Sequence, residues 1–144
     1  MSTPINLISV KEYKAMKDAF NTTIKGKLGS QETDSVWFSF DNLKEYLAYL
    51  EDESAKKNLL ISGISFQMIA TDDAAKRLTI ALTPTFEDNG KQTAFDLNHS
   101  STDSPMPIED INSSSNNFES TSSILNRGNI GENDNIVVVD EYTI

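Results

Sequence analysis

Cysteine is missing from this chain of 144 residues, and histidine and tryptophan occur once each. A chain without cysteine forms no disulfide, thiolate nucleophile, zinc–thiolate site or cysteine-bound iron–sulfur cluster. The N-terminal segment lacks a basic start followed by a long apolar run, and nowhere do eighteen apolar residues follow one another. These features predict a cytoplasmic protein without a membrane span.

Basic residues are also scarce, because 12 Lys and Arg stand against 22 Asp and Glu, for a net charge of −10. The excess is concentrated in residues 97–144, where eight acids accompany one base. Since Lys and Arg provide most non-specific affinity for phosphates, the chain is poorly suited to bind nucleic acid or anionic membranes. An acidic field favours a basic protein partner, although it also serves ordinary solubility.

Two helices are predicted from apolar residues that recur every three to four positions. Ser9 and Glu12 have the spacing of a capping box, so the first helix should begin at Val10 and end near Gly26 or Gly29. A second helix should follow Asp41 as its N-cap. Its apolar stripe comprises Leu43, Tyr46, Leu47 and Leu50.

Alternating apolar residues predict strands at 35–40 (SVWFSF), 64–70 (ISFQMIA) and 77–83 (RLTIALT). Pro84 should end the third of these because it cannot donate to a ladder. The Asn-Gly pair at 89–90 predicts a tight turn between PTF and QTAFDL.

These elements predict an α+β fold, with a mainly antiparallel sheet of about four strands and two helices packed on one face. We expect a compact α+β domain over residues 1–97. Residues 98–131 should be a polar irregular segment, since 15 of the 26 residues at 98–123 are Ser, Thr or Asn. Residues 132–144 end in NIVVVDEYTI, which predicts a C-terminal strand added to the sheet.

The sheet face away from the helices is too polar to be a core, so solvent, the tail or a partner should cover it. Trp37 and Gln67 fall on this face, and Tyr49 lies off the centre of the second helix's apolar stripe. Aromatic residues with a polar group are frequent at binding surfaces. We therefore predict Trp37, Tyr49 and Gln67 as partner-binding residues.

No catalytic residue, metal ligand or cofactor is predicted. His99 neighbours Ser100, but adjacent residues do not form a catalytic triad and no Gly-x-Ser-x-Gly elbow occurs. Asp72 and Asp73 are compatible with a hard cation, yet turn formation explains them equally well. The acidic run at 51–53 is interpreted as a solvated helix face, and the cluster at 132–135 is as weak a signal for a cation as Asp72 and Asp73.

The stretch from Trp37 to Thr85 contains FSFDNLKEYLAYLEDESAKKN, SGISFQMIA and LTIALTPT. It resembles a group of uncharacterised small bacterial α+β proteins, with a strand, a Leu-x-x-Tyr-Leu helix, a Gly-Ile strand and a strand ending in Pro-Thr. The resemblance covers about a third of the chain. It implies a fold and a bacterial origin, and it implies no activity.

Three functions fit these observations. The first is a non-enzymatic protein-interaction module, such as an adaptor, inhibitor or immunity-type protein, that uses an acidic surface and the exposed sheet face to bind a basic partner. The second is a small-ligand binder or hydrolase-like enzyme with a site on the polar sheet face near Asp72, Asp73, Asp96 or His99. The third is a structural subunit that self-associates through the C-terminal strand.

Overall fold

A computed structural model describes residues 4, 6–24, 35–70, 74, 78–114 and 118–126. Contacts between residues divide the chain into two units, one containing the residues up to Trp37 and the other spanning Phe38–Gly128. The α+β fold class is confirmed, since the described residues form two helices and a four-stranded antiparallel sheet. Neither helix is long and apolar enough to cross a bilayer.

The first helix, α1, spans Val10–Thr23 and begins as predicted. The Ser9 hydroxyl accepts a hydrogen bond from the Glu12 amide at 3.0 Å, which satisfies one of the free donors of the first turn. Ile24 is its C-cap, and Gly26 and Gly29 lie outside the described residues. No residue of α1 is buried.

The second helix, α2, spans Phe40–Lys56 and begins earlier than the sequence suggested. Ser39, and not Asp41, is its N-cap, because the Ser39 hydroxyl accepts from the Asn42 amide at 3.0 Å. The predicted strand at 35–40 is therefore wrong. Both residues are good cap formers, and the alternation of SVWFSF does not distinguish between a strand and an approach to a helix.

The sheet contains β1 (Gly63–Ala70), β2 (Leu78–Asp88), β3 (Lys91–Ser101) and β4 (Ser104–Pro107), in that spatial order. All three strand pairings are antiparallel. The predicted turn between β2 and β3 is confirmed, with Asn89 and Gly90 at φ 53° and 80°. Positive φ at both central positions suits the right-handed twist of a hairpin.

Pro84 lies inside β2, which corrects the prediction that it ends the strand. Strand β2 pairs with β1 up to Thr85 and with β3 from Thr85 onward. Pro84 thus precedes the first β2–β3 pair, where its missing N–H removes no bond of that ladder. Earlier along β2, the neighbour on this side is Leu125 and not β3. The Leu125 amide donates to the Leu82 carbonyl at 2.9 Å, and the Leu125 carbonyl accepts from the Leu82 amide at 2.7 Å.

One hydrophobic core lies between α2 and the sheet. Its buried members are Tyr46, Leu50, Leu82, Phe95 and Leu97. The rings of Phe86 and Phe95 meet edge to face, with centroids 5.5 Å apart, an arrangement that favours the ring quadrupoles.

Leu47, in the predicted apolar stripe of α2, and Phe66, in the alternating segment at 64–70, lie outside this core. Their exposed fractions are 47 % and 64 %. The buried face of α2 is centred on Tyr46 and Leu50, which pack with residues of β2 and β3. Phe66 lies on β1, the strand at the other side of β2.

The polar stretch after position 97 contains regular structure that its composition did not indicate. Strand β3 continues to Ser101, β4 follows, and a 3₁₀ turn spans Ile108–Asp110. Strand pairing in this stretch is irregular, since the register between β3 and β4 shifts between Asp96 and Ser101. The predicted strand within residues 132–144 lies outside the described residues, and the proposed domain boundaries stay predictions.

Candidate functional site

A buried polar cluster joins β3 to residues 121–126. Asp96 is 1 % exposed, and its carboxylate accepts hydrogen bonds from the Ser123 amide at 2.6 Å and the Ser123 hydroxyl at 2.8 Å. The same carboxylate contacts Nδ1 of His99. The Ser123 hydroxyl also accepts from the Leu97 amide at 2.9 Å.

Burial by itself would raise the pKa of the Asp96 carboxyl. Hydrogen bonds from the Ser123 backbone and from the His99 and Ser123 side chains outweigh it, so the pKa lies below its usual value. Asp96 is therefore held as a carboxylate. Tyr46 completes the cluster from α2, donating to the Ser123 carbonyl at 2.6 Å and lying 3.1 Å from that of Leu82. Burial raises the pKa of this phenol.

Ser123, His99 and Asp96 are the residue types of a hydrolytic triad, but their order is different. Nucleophilic catalysis requires the histidine between the serine and the aspartate, so that it can take the hydroxyl proton. Here Asp96 lies between the other two, and the Ser123 hydroxyl donates to it. Ser123 is only 2 % exposed. The arrangement holds residues 121–126 in the sheet and does not present a nucleophile to a substrate.

Sequence reasoning missed this cluster because its members lie up to 77 positions apart, from Tyr46 to Ser123. One local signal was available. Asp96 stands between Phe95 and Leu97 in a predicted strand, and a carboxylate among residues of a buried strand needs partners. Its partners in the Ser-rich stretch had no such signal.

Tyr49, a predicted partner-binding residue, lies on the exposed side of α2. Its hydroxyl donates to the Asn98 side-chain oxygen at 2.9 Å, and 37 % of its surface is exposed. Glu45 and Asp52 lie one helical turn before and after it, and both are exposed. We name Glu45, Tyr49 and Asp52 the acidic face of α2. It combines an aromatic ring in a fixed position with two carboxylates.

Gln67 does not join this face. Gln67 is exposed in β1, opposite Ala81, on the sheet face turned away from α2. It borders an open hollow of about 400 Å³ whose polar lining includes Ser62, Ser65, Thr85 and Gln92. Trp37 belongs to the other unit and is 36 % exposed.

The polar sheet face is only partly open. Thr79, Thr83 and Thr85 of β2 are buried, on the face that was predicted to be covered by solvent, the tail or a partner. The hydroxyl of Thr83 has no hydrogen-bond partner within the described ranges. On the β1 side of this face, Gln67 is exposed beside the open hollow.

An apolar groove of about 420 Å³ lies between the C-terminal half of α2 and the start of β1. It is lined by Leu47, Leu50, Leu59, Leu60, Ile61 and Ile64, among others. Further along β1, Phe66 and Met68 are 64 % and 65 % exposed. The face of β1 that carries Ile64, Phe66 and Met68 is thus apolar, whereas the acidic face of α2 is charged.

Asp72 and Asp73, considered above for a cation, lie outside the described residues. Within the described ranges, no group of three His, Asp or Glu side chains is placed to hold a metal ion. No family model matches the chain, and neither a curated protein nor a solved structure matches it.

Proposed function

We propose that this protein is a non-enzymatic protein-interaction module that binds a basic partner through the acidic face of α2. The observation that carries the proposal is Tyr49, whose ring is exposed while its hydroxyl is fixed by Asn98. An aromatic side chain fixed in this way loses little conformational freedom on binding. Such residues are frequent among those that dominate binding energy.

Charge supports a basic partner. Glu45 and Asp52 flank the Tyr49 ring, and a Lys or Arg placed over that ring would meet both an aromatic face and carboxylates. The whole chain carries a net charge of −10, which attracts cationic proteins over a distance of about one Debye length, roughly 8 Å at physiological salt. Binding of such a partner weakens as salt is added.

Affinity capture from a lysate of the source organism tests the proposal, with three immobilised forms of the full chain. The wild type should retain a basic protein that Asp52→Lys fails to retain. The matched control is Glu119→Lys, which makes the same change of charge at another exposed position and should retain it. Equal retention by both variants would refute a role for the acidic face, and so would binding that is insensitive to salt.

The open hollow beside Gln67 supports a second candidate, a binder of small neutral polar ligands. Its polar lining consists of hydroxyl and amide groups, which hydrogen-bond such ligands without a charge. A thermal-shift screen of neutral polar compounds tests this candidate. A hit should lose its stabilisation in Gln67→Ala, and a screen without hits would count against the hollow as a site.

A further inference from the structure

The outer edge of β1 offers backbone groups for pairing with another strand. Leu82 directs both its amide and its carbonyl to Leu125, on the side of β2 away from β1. In an antiparallel ladder the opposite residue, Phe66, then also directs its amide and carbonyl away from β2. By the alternation of the strand, Ile64 and Met68 do the same. Among the described strands, β1 pairs only with β2.

This edge lacks the features that usually prevent strands from pairing. Lys, Pro, bulges and short length protect natural sheet edges. Strand β1 is eight residues long, and its sequence GISFQMIA contains neither a charge nor a proline. Its pairing with β2 is continuous from Gly63 to Ala70. Two of its large apolar side chains, Phe66 and Met68, are mostly exposed.

We propose that β1 pairs with β1 of a second copy of this chain, antiparallel and with Phe66 opposite Phe66. A two-fold axis perpendicular to the sheet would place Ile64 of each copy opposite Met68 of the other, so that apolar residues meet on the α2 side. On the opposite face Ser65 would meet Gln67. The two four-stranded sheets would become one sheet of eight strands, joined by an isologous interface.

The sequence of β1 is compatible with self-pairing and favours a register centred on Phe66 over one centred on Gln67. A register centred on Gln67 would place Ser65 opposite Ile69, a polar residue against an apolar one, whereas the register centred on Phe66 avoids this. Because β1 carries no charge, a second β1 meets no repulsion within the strand pair. Repulsion comes only from the remainder of each chain, with its net charge of −10, and added salt screens it.

Salt dependence separates this inference from the proposed function. Added salt should strengthen pairing between two acidic chains and weaken binding of a basic partner. The two surfaces are also distinct, since Glu45 and Asp52 lie on α2. A chain that stays monomeric but retains a partner lost in Asp52→Lys would overturn the dimer and leave the proposed function intact.

Sedimentation and light scattering of the full chain, over a range of concentration and salt, test the dimer. We expect the wild type to be dimeric at high concentration. Phe66→Lys should weaken the dimer at least about tenfold, because it places two like charges opposite each other. The matched control, Phe118→Lys, alters another exposed phenylalanine and should leave the dimer unchanged. A wild type that is monomeric at all concentrations and salt conditions would overturn the proposal.

Cysteine cross-linking tests the register, and the chain contains no native cysteine to interfere. Phe66→Cys should form an intermolecular disulfide, since residues opposite each other in a hydrogen-bonded pair lie about 5.5 Å apart between Cα atoms. An equimolar mixture of Ile64→Cys and Met68→Cys retains Phe66 and should cross-link between the two variants, while each alone should not. Efficient cross-linking of Gln67→Cys alone would overturn the register.

Discussion

Replacing Asp96 with Asn should destabilise the protein by about 3 kcal/mol at pH 7. The change keeps the volume and removes the charge. Three contacts depend on that charge, namely the Ser123 amide at 2.6 Å, the Ser123 hydroxyl at 2.8 Å and the His99 ring. A hydrogen bond to a charged group exceeds a neutral one by about 1 kcal/mol, so the three together give the stated loss.

The loss should depend on pH in one direction. The folded-state pKa of Asp96 lies below its usual value, so the carboxylate contributes stability above the unfolded-state pKa of about 3.9. That contribution disappears as pH falls through the folded-state pKa, because both states are then protonated. The difference between wild type and Asp96→Asn should therefore be full at pH 7 and shrink below about pH 4.

Urea unfolding followed by far-UV circular dichroism measures both effects. Asp52→Asn, an exposed carboxylate on α2, is the matched control and should change the unfolding free energy by less than about 0.5 kcal/mol. In a double-mutant cycle, Asp96→Asn and Ser123→Ala should be coupled by about 1 kcal/mol or more, because each removes the same bonds. An Asp96→Asn variant within about 0.5 kcal/mol of wild type at pH 7 would refute the argument, as would a difference that grows in acid.

Three further predictions concern substitutions at single positions. Tyr46→Phe should lower the free energy of unfolding in urea by about 1–2 kcal/mol, because it removes the hydrogen bond to the Ser123 carbonyl. Ultraviolet titration should show that this variant lacks the last tyrosine to ionise. Because the pKa of Tyr46 is raised in the folded state, the stability of the wild type should fall as pH rises above about 10, the unfolded-state pKa. Gly90→Ala should lower the free energy of unfolding by about 1 kcal/mol, because φ is 80° at this position. Gly63→Ala should lower it by less, since the new methyl group would lie 3.6 Å from a threonine hydroxyl, an ordinary contact. Equal melting temperatures of the two variants would contradict this prediction. Lys57→Met should lower the free energy of unfolding by about 2 kcal/mol, since the Lys57 ammonium donates to two carbonyls of β3. Lys56→Met, on the exposed surface, should leave it nearly unchanged in the same assay.

Sequence patterns predicted the elements whose signals are local. The capping box at Ser9, the stripe containing Tyr46 and Leu50, and the Asn-Gly turn each depend on residues a few positions apart. The alternation of β1 and β2 likewise follows from the period of a strand, and it implied the antiparallel pairing. Local physical chemistry was sufficient for these features because their partners lie within the same pattern.

The candidate site was only partly accessible from sequence. The amphipathic position and polar hydroxyl of Tyr49 made it a candidate, but the sequence contained no indication that Asn98 fixes that hydroxyl. Gln67 lies on the face of β1 that alternation predicted, whereas the sequence left open whether solvent, the tail or a partner covers β2 on the same face. The strand predicted around Trp37 was replaced by the approach to the Ser39 cap.

The sequence alone therefore determined an acidic α+β chain without cysteine chemistry, since composition and short-range periodicity depend on no distant contact. Only the tertiary structure decided that a Ser-rich stretch enters the sheet, because Ser123 binds the Asp96 carboxylate and Leu125 pairs with Leu82. It also decided that Phe66 and Met68 remain exposed while equivalent apolar positions of β2 are covered. A single helix covers a limited width of sheet, and which strands lie beneath it is fixed by packing and not by any local pattern.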